Sequence, residues 1–364
     1  MKSINSSYNQ FHTKNFILAI FILAGLILVV SFAFTGCGKK DTTPCKETDF
    51  YFDTAVSITV YGLDNKRYLS DCMDICNKYD KLLDRHNEES DIYKINHASD
   101  NIPAAVDDDV LEVIKQGLYY CNLSGGAFNI TLGRLIDAWG INTEHPSVPD
   151  SSIIDCYSGT SSLDLVSVHD EEHSVSCRDA ELDLGGIAKG FVADKLKEYL
   201  QQQNISSGII NLGCNILLIG SKPDGSDYRI GIRQPFGAAD EYIATVKASD
   251  VSIVTSGIYE RFFYEDNQLY HHILDPQTGY PADNNLLSVT IISSSSTAGD
   301  ALSTACFVMG EEKALKLLDS LKDVYGVFVT KDGEVHLSTG LTMNSANVIT
   351  IEELYQSTNH SKVE

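Results

Sequence analysis

The sequence predicts an α+β fold, a single domain with a mixed, largely antiparallel sheet and flanking helices. Segments that alternate between apolar and polar residues, typical of strands, are interspersed with segments of helical spacing instead of alternating regularly with them. Several predicted strands are also joined by short loops, which favours antiparallel neighbours over a doubly wound parallel sheet. About 320 residues follow the N-terminal segment, enough for one large domain.

Each element has its own signal. Alternation and short apolar runs predict strands at 52–61, 209–219, 228–232, 242–246, 251–256 and 286–293. Helical spacing predicts helices at 69–83, 110–123, 187–201 and 298–309, with further helix at 315–321. A strand beginning at Leu182 is predicted to enter the helix at 187 through Gly185-Gly186, and Asp332-Gly333 predicts a hairpin between 325–330 and 334–337.

The N-terminus has the pattern of an export signal. Lys2 and Lys14 are the only Lys, Arg, Asp or Glu residues in 1–36, the chain is largely apolar from 16 to 34, and small residues precede Cys37. This resembles a bacterial lipobox, which predicts a lipoprotein signal peptide at 1–36 and lipidation of Cys37. The alternative is an uncleaved transmembrane anchor. Both place the bulk of the protein on the extracytoplasmic face of the cell membrane.

The remaining boundaries and the charge follow from composition. We expect a tether at 37–48, one folded domain at 49–345 and a C-terminal tail at 346–364. Since residues 1–36 hold two of the 27 basic residues and none of the 50 acidic ones, the rest of the chain has a formal charge of −25. Such a surface argues against nucleic acid as a partner and against direct adsorption to anionic lipid. The cysteines show no Cys-x-x-Cys spacing, and we expect most to be buried apolar residues.

The segment from Asp183 to Gly190 combines a glycine turn with a cation. Gly185 and Gly186 permit close approach of a ligand, and the start of the following helix offers free N–H groups to a phosphate, with Lys189 adding positive charge. The segment matches neither a Walker sequence nor a dinucleotide fingerprint. The alternative interpretation is that the glycines serve tight packing between strand and helix.

Asp300 and Thr304 are four residues apart on a predicted helix, so their oxygens face the same side. A carboxylate and a hydroxyl at this spacing can bind a hard cation such as Mg²⁺. The alternative is that Asp300 caps the helix. The apolar run 305–308 indicates a buried helix, in which an uncompensated Asp300 would be costly.

The segment from His271 to Pro281 carries proton-transfer chemistry. It holds two imidazoles, and Asp275-Pro276 with Thr278-Gly279 predict a tight loop after a strand that ends at the histidine pair. Neighbouring residues of a strand point to opposite faces, so only one histidine can serve a site. The alternative is an ordinary surface turn.

Aromatic residues follow a second glycine turn. Phe128 lies in the segment 124–131, which begins Ser-Gly-Gly, and Trp139 lies shortly after it. These rings could pack on a planar ligand or belong to the core, which is the commoner location of such residues.

These segments together resemble the ApbE family, the FAD:protein FMN transferases. The resemblance runs in the family's order from about residue 50 to about 340. It rests on the segments 52–59, 83–87 with 95–96, 124–131, 183–190, 211–215, 255–257 with 259–261, 272–281 and 300–304.

The resemblance implies a T-fold-like catalytic domain that binds FAD with Mg²⁺ and moves FMN onto a Thr or Ser hydroxyl of an exported acceptor protein, leaving AMP. His272 would be the general base, although its neighbour His271 leaves the choice open. The metal ligands would be Asp300, Thr304 and a backbone carbonyl, placed at Gly186 with Ala188 as the alternative. The flavin site would use Phe52, His86, Ala127, Phe128, Asn129, Asp183, Lys189 and, through its backbone, Leu274.

Two positions depart from the family pattern. Asn129 stands where many members have Asp, and an amide can form hydrogen bonds but cannot act as an acid or base. Cys214 stands where many members have the second Gly of Gly-Gly-Asn. Two other functions fit the same residues: an FAD pyrophosphatase that yields FMN and AMP, and a flavin-binding lipoprotein without turnover.

Overall fold

The computed structural model describes residues 41–99, 102–141, 143–158 and 163–352. The predicted signal peptide at 1–36 and the predicted lipidation site Cys37 lie outside these ranges. Within them, no helix is both long enough and apolar enough to span a membrane.

The described chain forms eight α-helices and seventeen strands. The helices are α1 (Arg67–Leu83), α2 (Asp91–Asn96), α3 (Asp108–Leu123), α4 (Gly133–Trp139), α5 (Ser151–Ser158), α6 (Ala188–Gln202), α7 (Ser296–Met309) and α8 (Glu311–Asp319). The first nine strands are β1 (Pro44–Tyr51), β2 (Thr54–Tyr61), β3 (Ala104–Ala105), β4 (Val166–His169), β5 (Ser174–Cys177), β6 (Gly208–Leu212), β7 (Asn215–Ile219), β8 (Tyr228–Arg233) and β9 (Tyr242–Ala248). The other eight are β10 (Ser252–Gly257), β11 (Phe262–Glu265), β12 (Gln268–His271), β13 (Leu286–Ser293), β14 (Val324–Thr330), β15 (Val335–Leu337), β16 (Leu341–Met343) and β17 (Val348–Ile351).

The main sheet has eight strands in the order β1-β2-β6-β7-β10-β13-β14-β15, and every neighbouring pair is antiparallel. A four-stranded sheet, β16-β17-β9-β8, includes the parallel pair β17–β9. Three strands, β3-β5-β4, and the hairpin β11–β12 form two smaller sheets. The predicted α+β class with a mixed, largely antiparallel sheet is therefore confirmed.

The main sheet is covered on both faces. Strand β13 is buried at seven of its eight positions because successive side chains pack into the hydrophobic cores on opposite faces of the sheet. Val289 and Ile291 pack with Leu302 of α7, whereas Ile292 packs with Val246 and Ile349 of the four-stranded sheet. Helices α6 and α7 pack against this sheet, and they carry Lys189, Asp300 and Thr304 of the candidate site.

Two predicted elements differ from the structure. The strand predicted at 209–219 is a hairpin, because Gly213 adopts a φ of 80° and reverses the chain between β6 and β7. Its close approach to Thr54 leaves no room for a side chain, since an added Cβ would lie 2.7 Å from the Thr54 hydroxyl. The segment that begins at Leu182 is extended but forms no strand; only Glu181 bridges another segment, at Leu132.

The sheets extend beyond the domain boundaries that the sequence predicts. Strand β1 begins at Pro44, inside the predicted tether, and β17 ends at Ile351, inside the predicted tail. In β1 only Cys45 is buried, so this edge strand has no apolar alternation and is held by backbone pairing to β2. Hydrophobic periodicity cannot detect a strand of this kind.

The cysteines of the described part are free thiols. Six of these eight are buried, which confirms the expectation that most serve as small apolar residues. Burial raises the pKa of Cys72 and of Cys76 to about 12, so these thiols stay protonated.

Candidate active site

The glycine turn before α6 lies against the buried ring of Phe128. An added Cβ at Gly186 would lie 2.9 Å from Cε2 of that ring, so glycine is required here for close packing. The Gly185 N–H donates to Oδ1 of Asp183 at 2.8 Å, and Nζ of Lys189 donates to the Gly185 carbonyl at 3.3 Å. The turn therefore both packs against Phe128 and holds the ammonium group of Lys189.

Asp300 lies in α7 where that helix meets α6. The Gly190 N–H donates to Oδ2 of Asp300 at 2.8 Å. Burial raises the pKa of Asp300 from its ordinary value, an effect that the positive charge of Lys189 opposes. The site thus contains a buried carboxylate close to one lysine.

The N-terminus of α7 is capped by other residues. The Ser295 hydroxyl accepts from the Ala298 N–H at 3.2 Å, and Asp194 of α6 accepts from the N–H groups of Ser296 and Thr297 at 2.8 and 2.9 Å. Asp300 is the fifth residue of the helix, so it does not act as the helix cap. Its buried position in the second turn needs another explanation.

Thr304 lies one turn after Asp300 on the same helix. Its Oγ1 is 3.2 Å from the Ser256 hydroxyl of β10, which is also 2.8 Å from the Ser303 hydroxyl. These hydroxyl contacts fix the helix against the sheet. Among the described residues, no cluster of three or more His, Cys, Asp or Glu side chains could hold a metal ion.

His272 directly follows β12 and lies opposite Arg261, the residue before β11 in the β11–β12 hairpin. Its backbone N–H donates to the Arg261 carbonyl, and its Nδ1 is also 3.1 Å from that oxygen. Because a carbonyl oxygen can only accept, Nδ1 carries the proton and Nε2 keeps its lone pair. Burial lowers the pKa of His272 to about 3, with Arg261 and Lys189 adding smaller effects, so the ring is neutral at pH 7.

His271 has a different environment. Its Nε2 is 3.2 Å from the Ala282 carbonyl, and its Nδ1 accepts from the Ile273 N–H at 3.3 Å. Both ring nitrogens are therefore occupied by backbone groups, and burial lowers the pKa of His271 to about 4. Of the two histidines, His272 is the one with a nitrogen available to accept a proton.

Arg85 organises the acidic side chains beside the glycine turn. It is buried and pairs with Asp137, with Glu181 at 3.3 Å and with Asp183 at 3.0 Å. His86 is exposed, and its Nε2 lies 3.9 Å from Asp137. Arg85 could not be identified from the sequence, because nothing in its local pattern distinguishes it from other basic residues; only the fold brings three carboxylates to it.

The loop that contains Asn129 is fixed locally. Oδ1 of Asn129 accepts from the Thr131 N–H and hydroxyl at 2.8 and 2.7 Å. An Asp at this position could accept the same bonds, so the departure from the family pattern preserves this turn. The N–H of Phe128, the residue between Ala127 and Asn129, donates to the Ser124 hydroxyl at 3.0 Å and so fixes the backbone of this loop.

Leu274 is buried in a cluster with Trp139 and forms an antiparallel bridge to Pro281. Trp139 donates from Nε1 to the Gly279 carbonyl at 2.8 Å. Trp139 and Phe128 are therefore core residues, the alternative that the sequence left open for both. The predicted tight loop after the histidine pair is present, with Gly279 at a φ of 72°.

Phe52 lies in the turn between β1 and β2, and its N–H donates to Asp80 of α1. The neighbouring Asp53 borders an open cleft of about 460 Å³. The cleft is beside His272, since Arg261 lines it and binds His272. The residues that line it are Asp53, Ile141, Thr143, Glu260, Arg261 and Phe262.

The structure brings together several of the predicted site residues. The charge of Lys189 acts on both Asp300 and His272, which places these three side chains in one electrostatic environment. Asp183 and Gly186 join them through the glycine turn. His86 is more remote and reaches this group only through the carboxylates bound to Arg85.

Comparison with known proteins agrees with the family resemblance of the sequence. The model of the ApbE family matches residues 52–328, which is most of the chain. The chain belongs to the ApbE family. The matched range contains every predicted catalytic, flavin-binding and metal-binding residue of the sequence analysis.

Relatives and solved structures of the ApbE family extend this result. An FAD:protein FMN transferase of Klebsiella pneumoniae is 37% identical over 264 residues, which cover 72% of this chain and 82% of the relative. One of Treponema pallidum is 34% identical over 290 residues, covering 75% and 80%. The crystal structure of the ApbE protein of Thermotoga maritima superposes with a TM-score of 0.75 at 30% identity, covering 82% and 97%.

Proposed function

We propose that this protein is a Mg²⁺-dependent FAD:protein FMN transferase. It would cleave FAD, attach FMN through a phosphoester to a Thr or Ser of an exported acceptor protein, and release AMP. Membership of the ApbE family and the names of its relatives support the transferase reaction. The structural observation that carries the proposal is the neutral His272, whose Nδ1 is held by the Arg261 carbonyl so that Nε2 keeps its lone pair.

His272 is suited to act as the general base. Nε2 would accept the proton of the acceptor hydroxyl while the oxygen forms its bond to the FMN phosphorus and AMP departs. The Arg261 carbonyl holds the proton on Nδ1, which fixes the tautomer and stabilises the imidazolium that forms. Lys189, held by the Gly185 carbonyl, would offset charge on the phosphates.

The candidate metal ligands have the chemistry that Mg²⁺ requires. Asp300 is a buried carboxylate with Oδ2 bound by Gly190 and with Oδ1 as its remaining oxygen, and Thr304 follows on the same helix face. The third ligand would be the carbonyl of Gly186, or of Ala188. A single carboxylate is sufficient when waters and substrate phosphates complete the shell, as Mg²⁺ usually requires. When bound, the ion would neutralise phosphate charge.

The flavin-binding residues follow from the resemblance and from their placement. Asp183 and Lys189 flank the glycine turn, and Phe52 lies beside the cleft. Leu274 would contact FAD through its backbone. The other proposed flavin-binding residues are His86, Ala127, Phe128 and Asn129.

A transfer assay tests the proposal. The full-length protein is mixed with FAD, Mg²⁺ and the exported protein fraction of the source cells, and acceptors are identified by the covalent flavin mass on a Thr or Ser. We expect the adduct to vanish with a chelator and in His272→Ala, and to persist in His336→Ala, which changes a histidine of β15 that pairs with Glu311 and Glu334 outside the site. FMN release without an adduct would replace the transferase with an FAD pyrophosphatase, and unchanged FAD would indicate a flavin-binding protein without turnover.

We also propose attachment to the extracytoplasmic face of the membrane through a lipid on Cys37. The support is the sequence of residues 1–37 and the acidic remainder of the chain, which has little attraction for anionic lipid. Cys37→Ser should move the protein from the membrane fraction to the soluble extracytoplasmic fraction. Unchanged membrane association of that variant would favour the transmembrane anchor.

A further inference from the structure

The turn between β1 and β2 has an unfavourable backbone conformation. Tyr51 pairs with Thr54, so the loop consists of Phe52 and Asp53 alone, with φ values of 54° and 55°. Two positive φ values define a type I′ turn, for which Asn-Gly is the preferred sequence. A bulky Phe at such a φ is an outlier, and residues of this kind cluster at functional sites when their surroundings hold them in place.

The side chain that holds this turn is Asp80. Its Oδ1 accepts from the Phe52 N–H at 2.7 Å across 28 residues of sequence. Asp80 is half-buried on α1, a helix whose Leu69, Cys72 and Cys76 are packed in the main core. A hydrogen bond to a carboxylate is stronger than one between neutral groups. Because Asp80 lies on a firmly packed helix, this bond fixes the backbone at Phe52.

The same turn is fixed from two other directions. Thr54 packs on Gly213, where an added Cβ would lie 2.7 Å from the Thr54 hydroxyl. Asp53 lies 4.0 Å from Arg261, the residue whose carbonyl binds His272. The turn is therefore attached to α1, to the β6–β7 hairpin and to the rim of the cleft, while the Phe52 ring remains half-buried and accessible.

We infer that Asp80 is a positioning residue for FAD, which holds Phe52 in its left-handed conformation so that the ring contacts the bound flavin nucleotide. The inference rests on the proposed function. The Asp80 carboxylate itself touches the Phe52 backbone and acts through that residue. Without it, the turn would relax to conformations that direct the ring elsewhere.

The test measures FAD binding at equilibrium, by dialysis and calorimetry, together with KM and kcat for FAD. Loss of a hydrogen bond to a charged acceptor should raise the FAD Kd of Asp80→Ala about tenfold. The KM should rise with it and kcat should stay unchanged, because the flavin contact is made equally in ground and transition states. Asp80→Asn retains Oδ1 as an acceptor and should restore binding.

Two controls separate positioning from general stability. Asp74→Ala changes an exposed aspartate on the same helix and should leave the FAD Kd unchanged. In a Phe52→Asn background, which keeps a residue tolerant of positive φ but removes the ring, Asp80→Ala should cause little further loss.

Wild-type affinity in Asp80→Ala would overturn the inference and leave the transferase proposal intact. Equal losses in Asp80→Ala and Asp80→Asn, parallel to a fall in Tm, would also overturn it, as this would indicate a purely structural role. A wild-type protein that binds no FAD would overturn the proposed function and this inference with it.

Discussion

The N–H of Gly190 donates to Oδ2 of Asp300 at 2.8 Å, and this bond joins α6 to α7. An added Cβ at Gly190 would lie 2.3 Å from the Ser296 carbonyl oxygen and 2.8 Å from Cβ of Asp300. The backbone can therefore reach the carboxylate only because residue 190 has no side chain. The position of a candidate metal ligand depends on a glycine in the neighbouring helix.

We predict that Gly190→Ala destabilises the protein by about 1–3 kcal/mol, because overpacking against backbone forces the helices apart. The free energy of unfolding in urea gives the measurement. Gly117→Ala is the matched control, since it is also a helical glycine but the nearest atoms to its added Cβ would belong to the Ile130 side chain and not to backbone. The improved helix propensity of alanine should largely offset that contact. Equal losses in both variants would contradict the role assigned to Gly190.

Asp194 supplies a second prediction about the same helix pair. It accepts from the N–H groups of Ser296 and Thr297 and from the hydroxyls of Ser295 and Thr297. Asp194→Ala leaves these donors without their acceptor and should cost about 1–3 kcal/mol, measured as above. Asp194→Asn keeps one carbonyl acceptor and should lose less. A small loss in Asp194→Ala would mean that water replaces the cap.

The elements that the sequence predicts well have strong periodicity. Helix α1, strand β13 and helix α7 were all predicted to within a few residues, because burial imposes their spacing. Strand β1 was not, because an exposed edge strand is held by backbone pairing and has no apolar alternation. Strand β17 was not, because only Ile349 of it is buried and its parallel partner β9 is distant in sequence.

The candidate site shows the same division. The sequence identifies residue types and spacing, so it supplies Asp300, Lys189 and the histidine pair. It predicts that only one histidine serves the site, but the choice depends on a backbone N–H that occupies the second ring nitrogen of His271. Arg85 and Asp80 act through contacts that only the folded chain creates.

The lowered pKa values of His271 and His272 predict a dependence of stability on pH. The folded pKa values of about 4 for His271 and about 3 for His272 lie below the ordinary value of 6.5. As the pH falls below 6.5 the unfolded chain binds protons that the folded protein does not, so stability decreases with falling pH. Each histidine contributes about 1 kcal/mol per pH unit between pH 6 and 5.

The variant His271→Asn isolates one of these contributions. Oδ1 of Asn can accept from the Ile273 N–H as Nδ1 does, so the variant keeps this contact without a titrating group. The difference in unfolding free energy between wild type and this variant, measured at several pH values, removes the effect of other titrating groups such as Asp300. An unchanged slope would show that His271 is solvated in the folded protein.

Asp300→Asn should separate stability from activity. The carboxylate is buried, and burial raises its pKa, which means that the charged form is disfavoured in the folded protein. Asn keeps an oxygen for the Gly190 N–H and removes the charge, so Tm in the absence of Mg²⁺ should stay equal or rise. The variant should lose FMN transfer, and Mg²⁺, which we expect to raise the Tm of the wild type, should not raise that of the variant. Ser303→Ala, on the same helix but outside the proposed ligand set, should retain both the activity and the Mg²⁺ effect. Full activity in Asp300→Asn would exclude this carboxylate as a metal ligand, whereas a large loss of stability would assign it to the fold and not to the reaction.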